Sequence, residues 1–385
     1  MGAAASAAAA WVPSRFAIGG EAPVRIGIML PYTGVYAQLG ENITSGLTMR
    51  LKATGDKLGG RTYELHKVDS EANPSKAVDN ATKLVKGKDV DFVVGPVHSG
   101  VALAMTKVMA KSPKTIMICP NAGADELTRG ACLRNVFRTS FSNWQTGFSM
   151  GAEVLKRGHR RVVTLTWKYA AGQEMMAAFG ESFRKAGGAD PVEQLWVDFP
   201  DAEFQPVLTR IAALKPDAVF AFFSGSGAVK FIRDYDTALD RKQIPLYGTG
   251  FLTEGVLDAV GNHAEGIVTA LHWAETLDSP ENRLFLGDFR KTTGRMADVF
   301  AVQGWDTGTL LYRALDTVKG DTGATKDLIQ AMEDAEISGP RGVWHMSKSH
   351  NPIQDFYLRQ VEGGRNKVLG IAHAQLEDPG TGCKM

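Results

Sequence analysis

The sequence predicts an α/β protein with two domains. Short apolar segments rich in β-branched residues alternate with amphipathic helical segments from Val24 onward, and this alternation is typical of parallel sheets covered on both faces. The length of 385 residues exceeds one ordinary core. The pattern changes near residues 137–147, near 273–282 and again over 342–364, so the chain is expected to pass between the two domains more than once.

Eight short segments are predicted strands because they are apolar and bounded by turn-forming residues. A further pair is predicted on either side of the Asn351-Pro352 turn, within GVWHMSKSHNPIQDFYLRQVEGG. Helical spacing is clearest in NPSKAVDNATKLV (73–85) and FQPVLTRIAAL (204–214). In chain order the eight strands are VRIGIML (24–30), TYELHKVD (62–69), DFVVGP (91–96), TIMICP (115–120), RVVTLTW (161–167), DAVFAFF (217–223), IPLYG (244–248) and GIVTAL (266–271).

The composition excludes several classes of protein. A hydrophobic content of 44% with 22% charged residues is typical of a globular domain. The net charge of +1 and the absence of Lys/Arg blocks argue against nucleic acid as a partner. No apolar run of about 18 residues is present, so no membrane span is expected.

The N-terminus and the cysteines bear on the compartment. Residues 1–23 begin Ala-rich and are interpreted as the remainder of a signal peptide or, equally, as a disordered tail. Cys119 lies in a strand, and no cysteine has metal-ligand spacing. A Cys132–Cys383 bridge is expected if the compartment is oxidising, and a Cys119–Cys132 pairing stays open.

Two strand-to-helix turns predict an anion site. The first is GPVHSG (95–100), a strand end followed by His98, Ser99 and a helix start. The second, PNAG (120–123), follows the next strand. Carboxyl ends of neighbouring parallel strands share one edge of a sheet, and helix N-termini present free N–H groups there. Of the eight histidines, His98 alone is assigned a function: it is expected to line the anion site or to donate a hydrogen bond there.

Motifs for catalysis are weak. The segment FFSGSGAVKF (222–231) resembles a dinucleotide fingerprint, but Lys230 stands where the third glycine belongs. No nucleophile elbow, P-loop or zinc-protease motif occurs. We therefore expect no catalytic residue, no cofactor and no metal, with a nucleotide-binding enzyme as a rival interpretation.

The order of the motifs resembles a known family. The segments IGIMLPYTGVYAQLGENITSGLTM, VVGPVHSG, CPNAGADELT, VFRTSFSNWQTG and AVGNHAEGIV are similar to those of type I periplasmic substrate-binding proteins of ABC transporters, in the branched-chain amino acid binding family. The resemblance covers about 360 residues. It implies two Rossmann-like lobes with parallel sheets, joined by three hinge crossings, with residues 24–142 plus 276–351 in one and 143–275 plus 352–385 in the other.

The resemblance also implies the site residues. Ser99 matches the serine that holds a ligand carboxylate, flanked by Val97 and His98. A second loop grips the same carboxylate. Ala171 falls where an aromatic ring is common, and Tyr169 is expected to replace it. The full set of implied ligand-binding residues is Tyr36, Leu39, Val97, His98, Ser99, Asn121, Ala122, Gly123, Tyr169, Gly250, Phe251 and Phe300.

One departure from the family predicts the kind of ligand. Amino acid binders place an acid that neutralises the ligand ammonium where this chain has Gly250. A buried ammonium without a carboxylate is strongly unfavourable, so a carboxylate without an α-amino group is expected. Aromatic side chains near the cleft suggest an aromatic ligand, of the benzoate or phenylpropanoid type. They are Tyr36, Tyr169, Phe223, Phe251, Phe300 and one of Trp144 or Trp305.

The expected function is therefore that of a periplasmic solute-binding protein. It would be a monomer that delivers a small aromatic carboxylate to the permease of an ABC importer. The nearest alternative keeps the fold and binds an aliphatic amino acid or amide, with Glu254 or Asp306 holding the ammonium. A sensory module of the same fold is a further alternative, which would need a separate partner because the sequence has no DNA-binding segment.

Overall fold

The computed structural model describes residues 22–385 and contains two β-sheets flanked by helices. The Ala-rich stretch and nearly all of the predicted signal or tail at residues 1–23 lie outside the described residues. Within the described part of the chain, no helix combines the length and the hydropathy needed to cross a bilayer.

The first sheet is entirely parallel, in the strand order β2-β1-β3-β4-β5. Its strands are apolar and buried except for the half-exposed edge strand β2. The strands are β1 Val24–Leu30, β2 Tyr63–Asp69, β3 Phe92–Val94, β4 Ile116–Cys119 and β5 Val136–Arg138. The helices among them are α1 Ala37–Ala53, α2 Pro74–Thr82 and α3 Ser99–Met109.

The second sheet has nine strands and is mixed. Its order is β11-β12-β13-β10-β9-β8-β6-β7, with β14 paired to β13. The five adjacent strands β10, β9, β8, β6 and β7 are parallel to one another. Strand β13 runs antiparallel to each of its neighbours. The strands are β6 Val162–Trp167, β7 Glu193–Val197, β8 Ala218–Phe222, β9 Leu246–Thr249, β10 Val268–Leu271, β11 Glu336–Gly339, β12 Gly342–Met346, β13 Pro352–Glu362 and β14 Arg365–Leu376.

The helices of the second half complete the architecture. They are α4 Asn143–Lys156, α5 Ala170–Lys185, α6 Gln205–Leu214, α7 Gly225–Ala238, α8 Leu257–Val260, α9 Pro280–Thr293, α10 Val299–Thr317 and α11 Thr325–Glu333. Helix α10 returns to pack on α1, where Gly46 and Gly304 let the two backbones meet: a Cβ on either would lie within 2.0 Å of a carbonyl oxygen of the partner helix. The chain thus leaves the first sheet after β5, returns after β10 to pack α10 on α1, and re-enters the second sheet at β11.

The predicted fold class is confirmed, with one refinement. Strands β5, β7, β11 and β14 were not predicted. Strands β7 and β14 lie at edges of the second sheet and keep exposed polar residues, so they lack a continuous apolar pattern. The residue boundaries of the two lobes stay a prediction.

A disulfide bond joins Cys132 to Cys383, so this is the pairing of the two left open by the sequence. Cys119 is a buried free thiol. Beside the bridge, Arg129 forms a bidentate ion pair with Asp378, at 3.0 and 2.8 Å. The disulfide bond and the ion pair together hold the C-terminal segment against the loop that precedes β5.

Candidate functional site

A cavity lies between the two sheets, among the segments that follow the carboxyl ends of their parallel strands. The empty volume at this place, counted together with the open solvent at its mouth, is about 300 Å³. This position is the usual ligand crevice of open α/β folds. Its lining residues are Tyr36, Leu39, Val97, Ser99, Asn121, Gly123, Phe141, Asn143, Tyr169, Met175, Phe222, Ser224, Phe251 and Phe300.

Polar groups from three segments meet at one part of the cavity. Ser99 is the first residue of α3, Gly123 lies in the turn after β4, and Asn143 is the first residue of α4. The Asn143 side-chain amide donates to Ser99 Oγ at 3.2 Å, and the Asn143 N–H donates to the Gly123 carbonyl at 2.7 Å. The backbone N–H groups of Ser99 and Gly123 have no hydrogen-bond acceptor among the described residues. These neutral donors fit a carboxylate.

The turn at Gly123 has no room for a side chain. A Cβ there would lie 2.3 Å from Asn143 Oδ1 and 2.5 Å from the ring of Phe141. The glycine therefore permits the close approach that brings Asn143 into the cavity. It also keeps the backbone of the turn open to the cavity.

A buried cation lies behind this turn. The Arg138 guanidinium, fully buried on β5, donates to the carbonyl oxygens of Ala122 and Ala124 at 3.4 and 3.0 Å. Burial lowers the pKa of Arg138. The Ala122 carbonyl shares a peptide group with the Gly123 N–H, so Arg138 polarises that N–H toward donation. Positive potential thus reaches the cavity through a peptide group.

The other predicted positions of the second turn have different roles. Asn121 lines the cavity, and its Nδ2 donates to Gln303 Oε1 on α10 at 2.8 Å. Ala122 was predicted to contact the ligand but does not line the cavity. Its N–H donates to the Pro96 carbonyl at 3.1 Å, which ties the two turns together.

His98 also lies outside the cavity lining, contrary to its predicted role as an anion donor. It is the N-cap of α3, where Nδ1 accepts from the Gly100 N–H at 3.1 Å. Its ring stacks on Tyr169 with centroids 4.6 Å apart. Burial lowers the pKa of His98 to about 4, which keeps the ring neutral. Nδ1 is therefore occupied as the acceptor of the helix-capping hydrogen bond.

Aromatic side chains form the apolar walls. Phe141 packs on Phe251 with centroids 4.7 Å apart, and Phe251 stacks with Phe300 at 6.1 Å. On another side, the hydroxyl groups of Tyr36 and Tyr169 lie 2.9 Å apart. Leu39, Val97 and Met175 complete the apolar lining. Such walls suit a flat apolar ring.

Phe223 and the two alternative tryptophans named from the sequence do not line this cavity. Phe222 lines the cavity instead of Phe223, because neighbouring side chains of a strand point to opposite faces. Phe223 packs against Trp167 with centroids 5.0 Å apart. Trp144 donates to Glu181 at 2.8 Å, and Trp305 packs on Phe285, so neither lines the cavity.

Five lining residues were missed by the sequence assignment: Phe141, Asn143, Met175, Phe222 and Ser224. A signal existed for Asn143, because Ser142 and Gln145 form a capping box that starts α4 at that residue. The helix start also places Phe141 just before it. Phe222 and Ser224 lie in FFSGSGAVKF, the strand-to-helix turn that the sequence offered as a nucleotide site, whereas no comparable local signal distinguishes Met175.

Gly250 does not line the cavity, although it was predicted to. A Cβ at this position would lie 2.3 Å from Leu271 Cβ and 2.6 Å from Arg359 Nη2. The Gly250 carbonyl accepts from Arg359 Nη2 at 2.9 Å. Packing, together with this buried arginine, occupies the space that a side chain would need.

The two acids considered as ammonium partners are engaged elsewhere. Glu254 forms an ion pair with Arg359 and accepts from the Val299 N–H at 3.0 Å. Asp306 pairs with Arg341 at 2.8 Å. Neither lines the cavity. Among the described residues that line it, none carries a charge.

Glu174 on α5 is an acid that is hydrogen-bonded to the polar part of the cavity. Its Oε2 accepts from Asn143 Nδ2 at 2.6 Å and from the Asp125 N–H at 3.1 Å. Burial raises the pKa of Glu174. Burial and the neighbouring Glu174 also raise the pKa of Asp125 to about 7. Glu174 thus connects the second sheet to the turn that bears Gly123.

Comparisons with known proteins agree with this geometry. Residues 23–366 match the family described as periplasmic binding protein. The Leu/Ile/Val-binding protein homolog 6 of Brucella melitensis biotype 1 is 30% identical over 345 residues, which is 88% of this chain and 87% of that protein.

Solved structures are similar over nearly the whole chain. A solute-binding protein of an ABC transporter from R. palustris, in complex with benzoate, is 47% identical, with a TM-score of 0.92 over 94% of this chain and 100% of that one. Another from Rhodopseudomonas palustris BisB5, in complex with 3,4-dihydroxy benzoic acid, is 28% identical, with a TM-score of 0.88 over 93% and 99%. The family resemblance and the fold predicted from the sequence are thereby confirmed, and the chain belongs to the periplasmic binding protein family.

Proposed function

We propose that this protein is the solute-binding component of an ABC importer and that it binds a small aromatic carboxylate in the cavity. One observation carries the proposal: the lining combines neutral hydrogen-bond donors with aromatic walls, and none of its described residues is charged. Binding is the whole chemistry in this proposal, with no catalytic step. The proposed location is the periplasm, and the proposed partner is a membrane permease that recognises the closed monomer.

The polar residues support a carboxylate ligand. Ser99 and Gly123 bring unpaired N–H groups, Ser99 adds a hydroxyl, and Arg138 lies one peptide group behind. Hydrogen bonds from neutral donors to a carboxylate are stronger than those between neutral partners. Ser99 also begins an eleven-residue helix, whose N-terminal dipole favours a negative charge by about 0.3–1 kcal/mol.

The same lining argues against an amino acid as ligand. A zwitterion would bury its ammonium group, which needs a carboxylate partner to offset the loss of water. The candidates Glu254 and Asp306 are paired with arginines, and Gly250 has no space for an acid. The name of the Brucella relative makes leucine, isoleucine or valine the alternative to test.

The apolar walls support an aromatic ring. Phe141, Phe251 and Phe300 form a continuous row of neighbouring rings beside the polar residues. The benzoate and dihydroxybenzoate bound by the two similar R. palustris proteins have the same combination of ring and carboxylate. Of the residues proposed from the sequence, Tyr36, Leu39, Val97, Ser99, Asn121, Gly123, Tyr169, Phe251 and Phe300 are kept as ligand contacts.

A ligand panel tests the proposal. Benzoate at a hundredfold excess over its Kd should add about 2.7 kcal/mol to the free energy of unfolding and raise Tm by several degrees. Benzamide, which keeps the ring and removes the charge, is the matched control and should stabilise less. Leucine and valine should have no effect. Stabilisation by leucine or valine without stabilisation by benzoate would overturn the proposal. Benzoate should also be recovered unchanged, as checked by NMR.

A further inference from the structure

We infer that the cavity recognises a hydroxyl group on the ring of its ligand through Ser224. This inference rests on the proposed function and adds a substrate class to it: hydroxybenzoates. Ser224 follows β8 of the second sheet, so it enters the cavity from a different segment than the carboxylate-binding residues of the first sheet.

The Ser224 hydroxyl is buried and unpaired. The residue is 3% exposed, it lines the cavity, and its Oγ has no hydrogen-bond partner among the described residues. Ser224 is the N-cap of α7, the position where a serine hydroxyl usually accepts from a helix N–H, yet its side chain makes no such bond. Buried polar groups are normally paired, so this hydroxyl calls for a partner inside the cavity.

A comparison of the unpaired polar atoms isolates Ser224. Among the described residues that line the cavity, two side-chain atoms are buried without a partner, Ser224 Oγ and Asn143 Oδ1. Asn143 already belongs to the carboxylate-binding group through its bonds to Ser99 and the Gly123 turn. Ser224 has no such connection, so we assign it to a different group of the ligand.

The surroundings of Ser224 determine which ligand group it would accept. No charged residue lines the described cavity, so neither a second carboxylate nor an ammonium would find a counter-ion. A neutral hydroxyl on the ring can donate to Ser224 Oγ or accept from it. Phe222, two residues before Ser224 in the chain, provides an aromatic wall for the ring that carries this hydroxyl.

The start of α7, which bears Ser224, packs against the opposite side of the cavity, and this contact fixes the position of the Ser224 hydroxyl. Gly225, next to Ser224, has φ of +58°, and a Cβ there would lie 2.2 Å from the Val35 carbonyl oxygen. The start of α7 therefore packs directly on the loop after β1, which carries Tyr36. A ligand whose carboxylate binds Ser99 and whose hydroxyl binds Ser224 would connect the two sides.

Calorimetric titration of the full-length protein tests the inference. The probes are benzoate, 3-hydroxybenzoate and 4-hydroxybenzoate, with 3- and 4-methylbenzoate as substituents of similar size that cannot hydrogen-bond. Ser224→Ala should reduce the ratio of the affinity for the tighter-binding hydroxybenzoate to the affinity for benzoate roughly 3- to 10-fold, the loss of one hydrogen bond. The methylbenzoates should not be weakened. Ser226→Ala, an exposed serine two residues along the same helix, should change none of these affinities.

The outcomes separate the two proposals. Equal losses for benzoate and hydroxybenzoate in Ser224→Ala, or no loss for either, would overturn the role of Ser224 and leave the proposed function standing. Failure of the unaltered protein to bind any of the five acids would overturn both. Circular dichroism and the Tm of Ser224→Ala, measured without ligand, check that the variant is folded.

Discussion

The hydroxyl groups of Tyr36 and Tyr169 lie 2.9 Å apart, although 133 positions separate the two residues in the chain. Tyr36 follows β1 of the first sheet, and Tyr169 follows β6 of the second. Burial raises the pKa of both phenols, so both stay protonated and the pair is a neutral hydrogen bond. The bond connects the two sides of the ligand cavity directly.

Removing this bond should weaken ligand binding. In Tyr169→Phe the ring that stacks on His98 is kept and only the hydroxyl is lost. The closed form loses a hydrogen bond of about 0.5–1.5 kcal/mol, which corresponds to a roughly 2- to 10-fold increase in the Kd for benzoate. Calorimetric titration measures the change. If the Tyr36–Tyr169 hydrogen bond causes the change, the double variant Tyr36→Phe with Tyr169→Phe should lose no more benzoate affinity than either single variant. Additive losses of affinity would contradict this role of the bond.

Ser99→Ala should weaken carboxylate binding. A hydrogen bond to a charged group contributes about 1.5–3 kcal/mol, which corresponds to a roughly 10- to 150-fold rise in Kd. Titration with benzoate and with benzamide separates this effect from general disruption, because benzamide carries no charge and should lose less affinity. An unchanged Kd for benzoate would remove Ser99 from the site.

His98 should make the protein less stable in mild acid. The unfolded chain binds a proton at the ordinary pKa of 6.5, but the folded ring stays neutral until about pH 4. Stability contributed by the neutral ring is therefore lost as pH falls from 6.5 toward 4, by about 2 kcal/mol at pH 5.

His98→Asn tests this prediction, because asparagine is a good N-cap that does not titrate. Urea unfolding at pH 7.5 and pH 5 should show a smaller loss of stability for the variant than for the unaltered protein. An identical loss in both would show that His98 does not cause the acid sensitivity.

Gly250→Ala should destabilise the fold. The added Cβ would lie 2.3 Å from Leu271 Cβ, and overpacking of a buried position costs about 1–3 kcal/mol. Thermal unfolding measures this loss of stability. Gly287→Ala is the matched control: it lies within α9, a Cβ there has no neighbour within 4 Å, and a gain of about 0.5–1 kcal/mol is expected. Equal effects of the two substitutions would contradict the crowding at Gly250.

The Cys132–Cys383 bond should contribute substantially to stability. It joins residues 251 positions apart, and removal of a native disulfide costs about 2–5 kcal/mol. Thermal unfolding with and without a reductant should show a lower Tm in the reduced protein. The double variant Cys132→Ser with Cys383→Ser should match the reduced protein and not respond to reductant. A Tm that reductant leaves unchanged in the unaltered protein would contradict the prediction.

Local patterns in the sequence determined the architecture and the position of the cavity. Alternating strands and helices predicted the sheets, and the turns GPVHSG and PNAG identified Ser99, Asn121 and Gly123 as neighbours at the carboxyl ends of adjacent strands. These features depend on hydrogen bonding and side-chain periodicity over a few residues, which the sequence displays directly. The edge strands β7 and β14 escaped prediction because exposed residues interrupt that periodicity.

Tertiary contacts decided how individual side chains are used. His98 is in the predicted turn, but its capping bond turns it away from the cavity. The sequence predicted a missing acid at Gly250, whereas Leu271 and Arg359 fill that space from β10 and β13. The pairing of Cys132 likewise depended on where the C-terminus lies. Each outcome was set by a partner distant in sequence, and no local pattern encodes which distant groups will compete for the same atom or the same space.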